Sequence, residues 1–398
     1  MKPTPLPAPE TTLSRRQLIA LAGATSLTAC GGGGSAGSDE QPGAHPLGVA
    51  TGGTGRVQSF LSAAVTATLP LTVGGVSLDT RDAALTDGDD TPLRGKTLAP
   101  GMTARVLAGT IVAGSARAYA VQVDTQVVGA GTAVIWLDSR NLLVLGQRVS
   151  VTAATVRGPG AAGTPGAVQV WGQLDLAGGR IVASRLERAA GNDAPMLRGV
   201  LSAIDRAQGL VQVGSLVART TDAKLIPAGL APGAVVRLVL GAAAADGSWQ
   251  LVGLRDDALR PPDGLAVKLQ GRVTQFTSTR AFTVDGVPVD TSSAQIEGAS
   301  QLQPGAEVEV QGSMRDGVLV AREVAAEAAE PIELSGRVLA VNPAAQTFTL
   351  AGWVVHWSAS TVFAAGLPAG LRAGRKLAVV GRWLPGATRL EALRVSRD

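Results

Sequence analysis

The chain repeats one pattern five times, and this repeat limits the folds that it can adopt. In each copy, two short apolar segments flank a turn that contains glycine. Alternating apolar residues around such a turn predict a β-hairpin, because glycine accepts the positive φ that a tight turn requires. The five segments are LTVGGVSL (71–78), LLVLGQRV (142–149), LVQVGSLV (210–217), FTVDGVPV (282–289) and FTLAGWVV (348–355).

Further signals recur at fixed places around each predicted hairpin. A Gly-x-Val strand precedes the hairpin, as in GRV (271–273), and a Pro-Gly turn follows it, as in PG (304–305). Two more strands complete the copy, as in VEVQG (308–312) and VLVAREV (318–324). Each copy therefore predicts five strands, with a longer connection between the third and the fourth. The hairpin glycines recur every 66 to 72 residues, at Gly75, Gly146, Gly214, Gly286 and Gly352.

Five short antiparallel strands leave two free edges unless the sheet curls on itself. Closure into a barrel removes those edges, so it is the arrangement that we expect. We predict an all-β chain of five tandem OB-like five-stranded β-barrels, with an SH3-like barrel or an open meander as the competing shapes. The segment 325–329 is predicted as a linker rather than a helix. The predicted repeats span residues 53–126, 127–190, 195–260, 264–327 and 328–398.

The repeated motifs resemble the bacterial family called domain of unknown function 5666. The similarity is strongest in AFTVDGVPVDTSSAQIEG (281–298) and QPGAEVEVQG (303–312), and VLGQRVSVTAATV (144–156) and GGRIVASRLE (178–187) also follow the pattern. It covers nearly all of the chain after the N-terminal segment, although the first repeat carries extra residues around 82–97. The resemblance implies OB-like barrels in an exported, often lipid-anchored protein. It brings no catalytic residues.

The N-terminal segment has the organisation of an export signal. Arg15 and Arg16 precede an apolar stretch from Leu18 to Ala29, which is too short to span a bilayer as a helix. The paired arginines favour twin-arginine export, and the general secretory route is the alternative. Residues 1–29 are therefore predicted to be a signal peptide.

The end of this signal resembles a lipobox. LTAC (27–30) implies cleavage before Cys30 and attachment of lipid to its sulfur, which would anchor the protein in a membrane. Gly31 follows the cysteine, with no aspartate to indicate inner-membrane retention, so the outer membrane is the expected site. The barrels would then face the periplasm or the cell surface. Residues 30–52 are rich in Gly, Ser and Pro and predict a flexible tether.

The residue inventory excludes several kinds of chemistry. The chain has one cysteine and two histidines, His45 and His356, so no internal disulfide or thiolate metal cluster can form. His356 lies between two tryptophans without a second histidine to assist it, so we interpret it as a structural or surface residue. No phosphate loop or nucleophile motif is present. We predict no cofactor.

Charge and aromatic content argue against nucleic-acid binding. Without residues 1–29 the chain holds 32 basic and 30 acidic residues, a net charge of +2, with no basic run. Six Trp, five Phe and one Tyr over five repeats are too few for a stacking surface. The main acidic cluster, with Asp87, Asp89 and Asp90, could supply oxygen ligands to calcium. Its spacing does not match an EF-hand, and an ordinary solvated loop is the favoured interpretation.

We therefore expect a non-enzymatic protein of the cell envelope that acts as a binding or spacer module for another envelope protein. The alternative is binding of an envelope polysaccharide or peptidoglycan, with Trp171, Trp249 and Trp383 as the candidate ligand face. A third hypothesis is an enzyme with a site between barrels, for which the loop 79–90 is the place to look.

Overall fold

The computed structural model describes residues 57–398 apart from short gaps. The predicted signal peptide, its residues Arg15 and Arg16, the predicted lipidation site Cys30 and the tether all lie outside the described residues. The gaps are residues 94–96, 130, 162–165, 190–192, 368 and 384–388.

The described part of the chain is all-β, as the hairpin pattern predicts. It holds 29 strands and three 3-10 turns of three residues each. Among these residues no helix has the length and apolarity needed to cross a bilayer. The 3-10 turns are Gly131–Ala133, Ala223–Leu225 and Ala299–Gln301.

The first repeat closes into a five-stranded barrel. The repeat holds six strands, of which all but β4 form the barrel: β1 (Ser59–Thr68), β2 (Leu71–Val73), β3 (Val76–Asp79), β4 (Ala84–Asp87), β5 (Thr103–Ala108) and β6 (Ser115–Val123). Pairing runs β1–β2–β3–β6–β5 and returns to β1; β3 and β6 are parallel, and the other pairs are antiparallel. The short strand β4 adds a second parallel partner to β6.

The second and third repeats use the same pairing order. In the second repeat the first strand is split in two by a 3-10 turn, and its two parts pair with different neighbours. Its strands are β7 (Val127–Gly129), β8 (Val134–Trp136), β9 (Asn141–Val144), β10 (Gln147–Arg157), β11 (Val168–Asp175) and β12 (Arg180–Arg188). Those of the third are β13 (Met196–Asp205), β14 (Leu210–Val213), β15 (Leu216–Arg219), β16 (Val235–Ala243) and β17 (Trp249–Asp256).

The fourth and fifth repeats each add one short strand, parallel to the last strand of the barrel. The fourth holds β18 (Ala266–Ser278), β19 (Ala281–Val284), β20 (Val287–Asp290), β21 (Gln295–Glu297), β22 (Glu307–Arg315) and β23 (Val318–Glu327). The fifth holds β24 (Ile332–Asn342), β25 (Thr347–Leu350), β26 (Trp353–His356), β27 (Val362–Phe363), β28 (Lys376–Trp383) and β29 (Leu390–Arg397).

The predicted hairpin turns are confirmed. In four repeats both turn residues have positive φ, which is the type I′ geometry that matches the twist of the strands. In the third repeat the turn begins at the shared glycine itself: Gly214 is its first residue and has positive φ, and Ser215 is its second. The four type I′ turns are Gly74-Gly75, Leu145-Gly146, Asp285-Gly286 and Ala351-Gly352.

A second recurring glycine marks a β-bulge in the fourth strand of three barrels. The ladder shifts at Gly172, Gly312 and Gly381. A Cβ on Gly172 would lie 2.2 Å from the backbone oxygen of Val182, which no side chain can accept. The close approach of the paired strand therefore explains why this position is glycine.

The predicted linker at 325–329 is wrong in its first half. Ala325, Ala326 and Glu327 continue strand β23 and pair with β22. Ala326 is buried, because it lies two residues after the buried Val324 and so points to the same side of β23, into the core of the fourth repeat.

The repeats pack directly against one another. Strand β1 pairs in parallel with β18, which joins the first repeat to the fourth, and β7 pairs with β13, which joins the second to the third. One apolar core cluster spans the second and third repeats, and Phe60 of the first repeat belongs to the core of the fourth. The sheets thus continue from one repeat to the next. The boundaries of the five repeats stay a prediction from the sequence.

Candidate functional site

Eight charged side chains from three repeats meet where the barrels touch, and we call this group the charge junction. The arginines come from strands β5, β13, β16 and β17, and the aspartates come from loops and from one hairpin turn. Four positive and four negative groups make the cluster formally neutral. Its members are Arg105, Arg198, Arg237, Arg255, Asp89, Asp124, Asp257 and Asp285.

Arg198 links the third repeat to the fourth from a position only 4% exposed. Its Nε donates to Asp257 Oδ2 at 2.8 Å, and its two terminal nitrogens donate to Asp285 Oδ1 and Oδ2 at 3.1 and 3.2 Å. Asp285 is the first residue of a type I′ turn, so the same turn that closes a hairpin also carries a carboxylate to the neighbouring barrel. This fork geometry is the strong form of an arginine–carboxylate pair.

Asp89 links the first repeat to the third. Its two carboxylate oxygens accept from Arg237 Nε and Nη2, both at 2.8 Å, and Oδ1 also accepts from Arg255 at 2.8 Å. A second nitrogen of Arg255 donates to the backbone oxygen of Gly88. The two guanidinium groups therefore clamp the tip of the acidic loop onto the neighbouring barrel.

Arg105 lies between two buried carboxylates. It pairs with Asp124 through Nε and with Asp257 Oδ2 at 3.4 Å. Burial raises the pKa of Asp124, and the charge of Asp257 adds to that rise, which outweighs the opposing effect of Arg105. Burial also raises the pKa of Asp257, but Arg198 and Arg105 lower it by more, so its pKa lies below the ordinary range.

The same competition sets the charge state of the other members. Burial raises the pKa of Asp89, and its bonds to Arg237 and Arg255 more than reverse that effect, so its pKa is lowered. Burial lowers the pKa of Arg198, while Asp285 and Asp257 together lift it above the ordinary value. The directions of these shifts favour the charged forms of Arg198 and Asp89.

A cavity of about 40 Å³ lies beside the junction, between the first four repeats. Arg105, Asp124, Arg198 and Arg272 contribute to its lining. Two buried atoms there, Asp124 Oδ1 and Arg272 Nε, have no hydrogen-bond partner among the described residues. The volume suits a few water molecules, not a metabolite.

A second buried arginine cluster lies between the second and fourth repeats. Arg180 donates through Nε to Asp175 at 3.0 Å and through Nη2 to the backbone oxygen of Glu330 at 2.9 Å. Arg272, which is 2% exposed, donates to the backbone oxygen of Gly305 at 3.0 Å and lies 3.8 Å from the Glu330 carboxylate. This cluster attaches the chain that enters the fifth repeat to the other barrels.

The carboxylates of the acidic cluster have hydrogen-bond partners within the protein. Asp87 Oδ1 accepts from the backbone nitrogens of Asp89 and Thr91, and Asp90 Oδ1 accepts from Gln122. No group of three or more His, Cys, Asp or Glu residues in the described ranges is arranged to hold a metal ion. Backbone nitrogens of the loop therefore engage Asp87, two arginines engage Asp89, and Gln122 engages Asp90.

The three tryptophans of the candidate ligand face do not share one environment. Trp171 is 2% exposed, because it leaves the second repeat and packs into the core of the first, so it is not part of an exposed face. Trp249 and Trp383 are half-buried, on the third and fifth repeats. The ring of Trp383 stands edge-on to that of Trp353, with 5.3 Å between centroids.

His356 pairs with a single carboxylate. Its Nδ1 lies 2.7 Å from Glu391 Oε2, across the parallel pair of β26 and β29. Burial raises the pKa of Glu391, and its hydrogen bonds with His356 and Ser358 lower it by more, so the net shift is downward. The pair lies across the two parallel strands that close the fifth barrel.

Sequence reasoning missed the charge junction. The sequence does contain a sign of buried ion pairs, because an arginine interrupts each of the apolar runs MLRGV (196–200) and VVRLVL (235–240). A charge inside a strand that is otherwise apolar on both faces must find a buried partner.

The family model of DUF5666, a domain of unknown function, matches residues 132–187, 270–325 and 335–396. No curated protein matches the chain in sequence. A solved structure titled "drosophila Unr CSD456" is similar at 12% sequence identity and a TM-score of 0.16, over 52% of this chain and 98% of that one.

Proposed function

The chain carries DUF5666 domains at three positions, and from this premise we propose that it is a non-enzymatic, exported lipoprotein that serves as a binding or spacer module for another envelope protein. Its five repeats would be OB-like barrels held together as one platform. The pairing order in which the third strand runs parallel to the fifth supports the OB assignment, because it recurs in all five repeats.

The charge junction is the observation that carries this proposal. It ties the first, third and fourth repeats together through buried ion pairs. Neutral junctions of this kind fix the orientation of neighbouring elements, because any displacement leaves a buried charge without its partner. A fixed arrangement of barrels favours presentation of a preformed surface to a partner.

Placement in the envelope rests on the sequence. Arg15 and Arg16 before a short apolar stretch support export, and the single cysteine, Cys30, at a lipobox supports anchoring in the outer membrane. The Gly-rich residues 30–52 would let the barrels reach a partner away from the membrane. Replacing Cys30 by serine is expected to release the protein from the membrane fraction into the soluble periplasm.

The enzyme hypothesis has less support. The loop 79–90 was its candidate location, and Asp89 there is engaged by two arginines. A general base needs a carboxylate that is free to reach its substrate. We therefore propose that this loop holds the first repeat against the third.

Cross-linking in the native envelope tests the proposal. The chain would carry a tag after Asp398, and cross-linked proteins would be identified by mass spectrometry. We expect one protein to be enriched reproducibly, and a Cys30→Ser control should lose it if anchoring brings the two together. Recovery of the protein without any enriched partner in repeated experiments would contradict the protein-binding proposal.

Glycan binding is the second candidate, because Trp249 and Trp383 are only half-buried. Sugar rings stack on such surfaces. Retention on purified peptidoglycan or surface polysaccharide that falls at least tenfold in a Trp383→Ala variant would favour it, since a loss of about 1.4 kcal/mol corresponds to that factor. Equal retention of the variant and the parent would remove this candidate.

A further inference from the structure

Positive charge is concentrated in the fifth repeat. Residues 328–398 contain eight basic and four acidic residues, a net charge of +4. Residues 264–327, the fourth repeat, contain five basic and eight acidic residues, a net charge of −3. The net charge of +2 that the chain has without residues 1–29 therefore hides a local asymmetry between the repeats.

The strand register brings four of these basic residues to one side of the barrel. Arg337 on β24 pairs with Lys376 on β28, and Arg394 on β29 pairs with Val380 on β28. Paired residues point to the same face, and alternation along β28 adds Arg382 to it. All four basic side chains are exposed. We call Arg337, Lys376, Arg382 and Arg394 the basic face; six residues separate its ends along β28, or about 20 Å.

The acidic residues on these strands are engaged by other groups. Glu333 lies opposite Val380 in the register and pairs with Arg140 of the second repeat. Glu391 lies opposite Arg382, and its carboxylate pairs with His356. Within the described ranges no carboxylate lies within 4.0 Å of the nitrogens of the basic face. Arg337 donates to the backbone oxygen of Gly374 at 3.0 Å, which leaves its charge without a counter-ion.

Exposed leucines accompany two of the arginines. Leu339 follows Arg337 by two residues and is 66% exposed, and Leu393 precedes Arg394 and is 39% exposed. Each leucine lies at a register shift of its strand, which turns it outward beside the arginine. Basic groups with apolar side chains between them suit the boundary between lipid head groups and acyl chains.

From this juxtaposition we propose that the basic face of the fifth repeat docks on the surface of an anionic lipid bilayer. The guanidinium and ammonium groups would bind lipid phosphates, and Leu339 and Leu393 would enter the head-group region. The proposal does not depend on the lipid anchor or on a protein partner, because it concerns a surface of the folded barrel. Its failure would leave the proposed function unchanged.

Vesicle sedimentation tests the proposal in the absence of the anchor. The full chain with Cys30→Ser would be mixed with vesicles of phosphatidylcholine alone, or of equal parts phosphatidylcholine and phosphatidylglycerol. We expect binding to the anionic vesicles only, and weaker binding as salt is raised. Lys376→Gln with Arg394→Gln should lower the partition coefficient about 25-fold, or about fivefold for each charge near the surface.

A matched control separates local charge from net charge. Arg315→Gln with Arg322→Gln removes two exposed basic residues from the fourth repeat and should leave vesicle binding unchanged. Leu393→Ser should weaken binding to vesicles but not to soluble polyphosphate. Equal binding to neutral vesicles, equal loss in both double variants, or binding to polyphosphate alone would overturn the proposal. Thermal melts of the variants, matched to the parent, confirm that each is folded.

Discussion

Replacement of Arg198 by methionine is expected to be one of the most damaging single changes to this protein. Arg198 is 4% exposed and holds two carboxylates, Asp257 at 2.8 Å and Asp285 at 3.1 and 3.2 Å. Methionine fills a similar volume but leaves both acids facing a site with one positive charge fewer. Removing one partner of a buried ion pair costs about 3–5 kcal/mol. We expect a loss of that size in the free energy of unfolding.

Urea denaturation at neutral pH measures this loss, and a surface pair provides the control. Arg219 and Asp246 lie 3.9 Å apart with side chains 48% and 60% exposed. Arg219→Met should therefore cost no more than about 1 kcal/mol. A cost for Arg198→Met as small as that of the control would refute the view that the junction holds the repeats together.

The pH dependence gives a second, independent result. The pKa of Asp257 is lowered in the folded parent, so its stabilising contribution is present above about pH 4 and is lost as pH falls further. In Arg198→Met the pKa of Asp257 should rise, because burial then dominates. The difference in stability between parent and variant should thus be largest at neutral pH and shrink on acidification. Adding Asp257→Asn to the variant should recover part of the loss at neutral pH.

Three further predictions concern single positions. Gly172→Ala should lower the free energy of unfolding, measured in urea, by about 2 kcal/mol or more, because its Cβ would meet a backbone oxygen at 2.2 Å. The control Gly247→Ala has open space around it and should cost about 1 kcal/mol from its positive φ alone. Equal costs for the two variants would contradict the bulge explanation. Trp171→Ala should lower the free energy of unfolding by about 3–5 kcal/mol, since the ring packs in the core of the first repeat. A calorimetric melting temperature within a degree or two of the parent would mean that the ring lies at the surface. His356→Gln should raise the pKa of Glu391 toward its usual range, and NMR titration of that carboxyl measures the change. An unchanged pKa would mean that other neighbours cause the shift.

The hairpins were predictable from the sequence because their signals are local. A type I′ turn needs two residues with positive φ, and pairs such as Asp285-Gly286 between alternating valines leave few other conformations. The bulge glycine is also visible as a recurring motif, although its reason, the approach of the neighbouring strand to Gly172, is a tertiary fact.

The charge junction was not predictable in the same way. Asp89 reads locally as part of a solvated Asp-Gly loop, and its partner Arg237 is 148 residues away. Alternation assigns one buried and one exposed face to a strand, but barrels that pack on barrels bury both. Trp171 shows the consequence, since a ring that points out of its own barrel becomes core in the next.

The distance between two barrels tests most directly whether the junction holds the repeats as one body. Spin labels would be attached at Val112→Cys in the first repeat and Thr221→Cys in the third, in a Cys30→Ser background; both positions are exposed. Double electron–electron resonance would measure the distance between the two labels. A fixed platform predicts a single narrow distance distribution in the parent and a broader one when Asp89→Asn and Arg198→Met are added. A broad distribution in the parent would mean that the barrels move independently and would contradict the proposed platform.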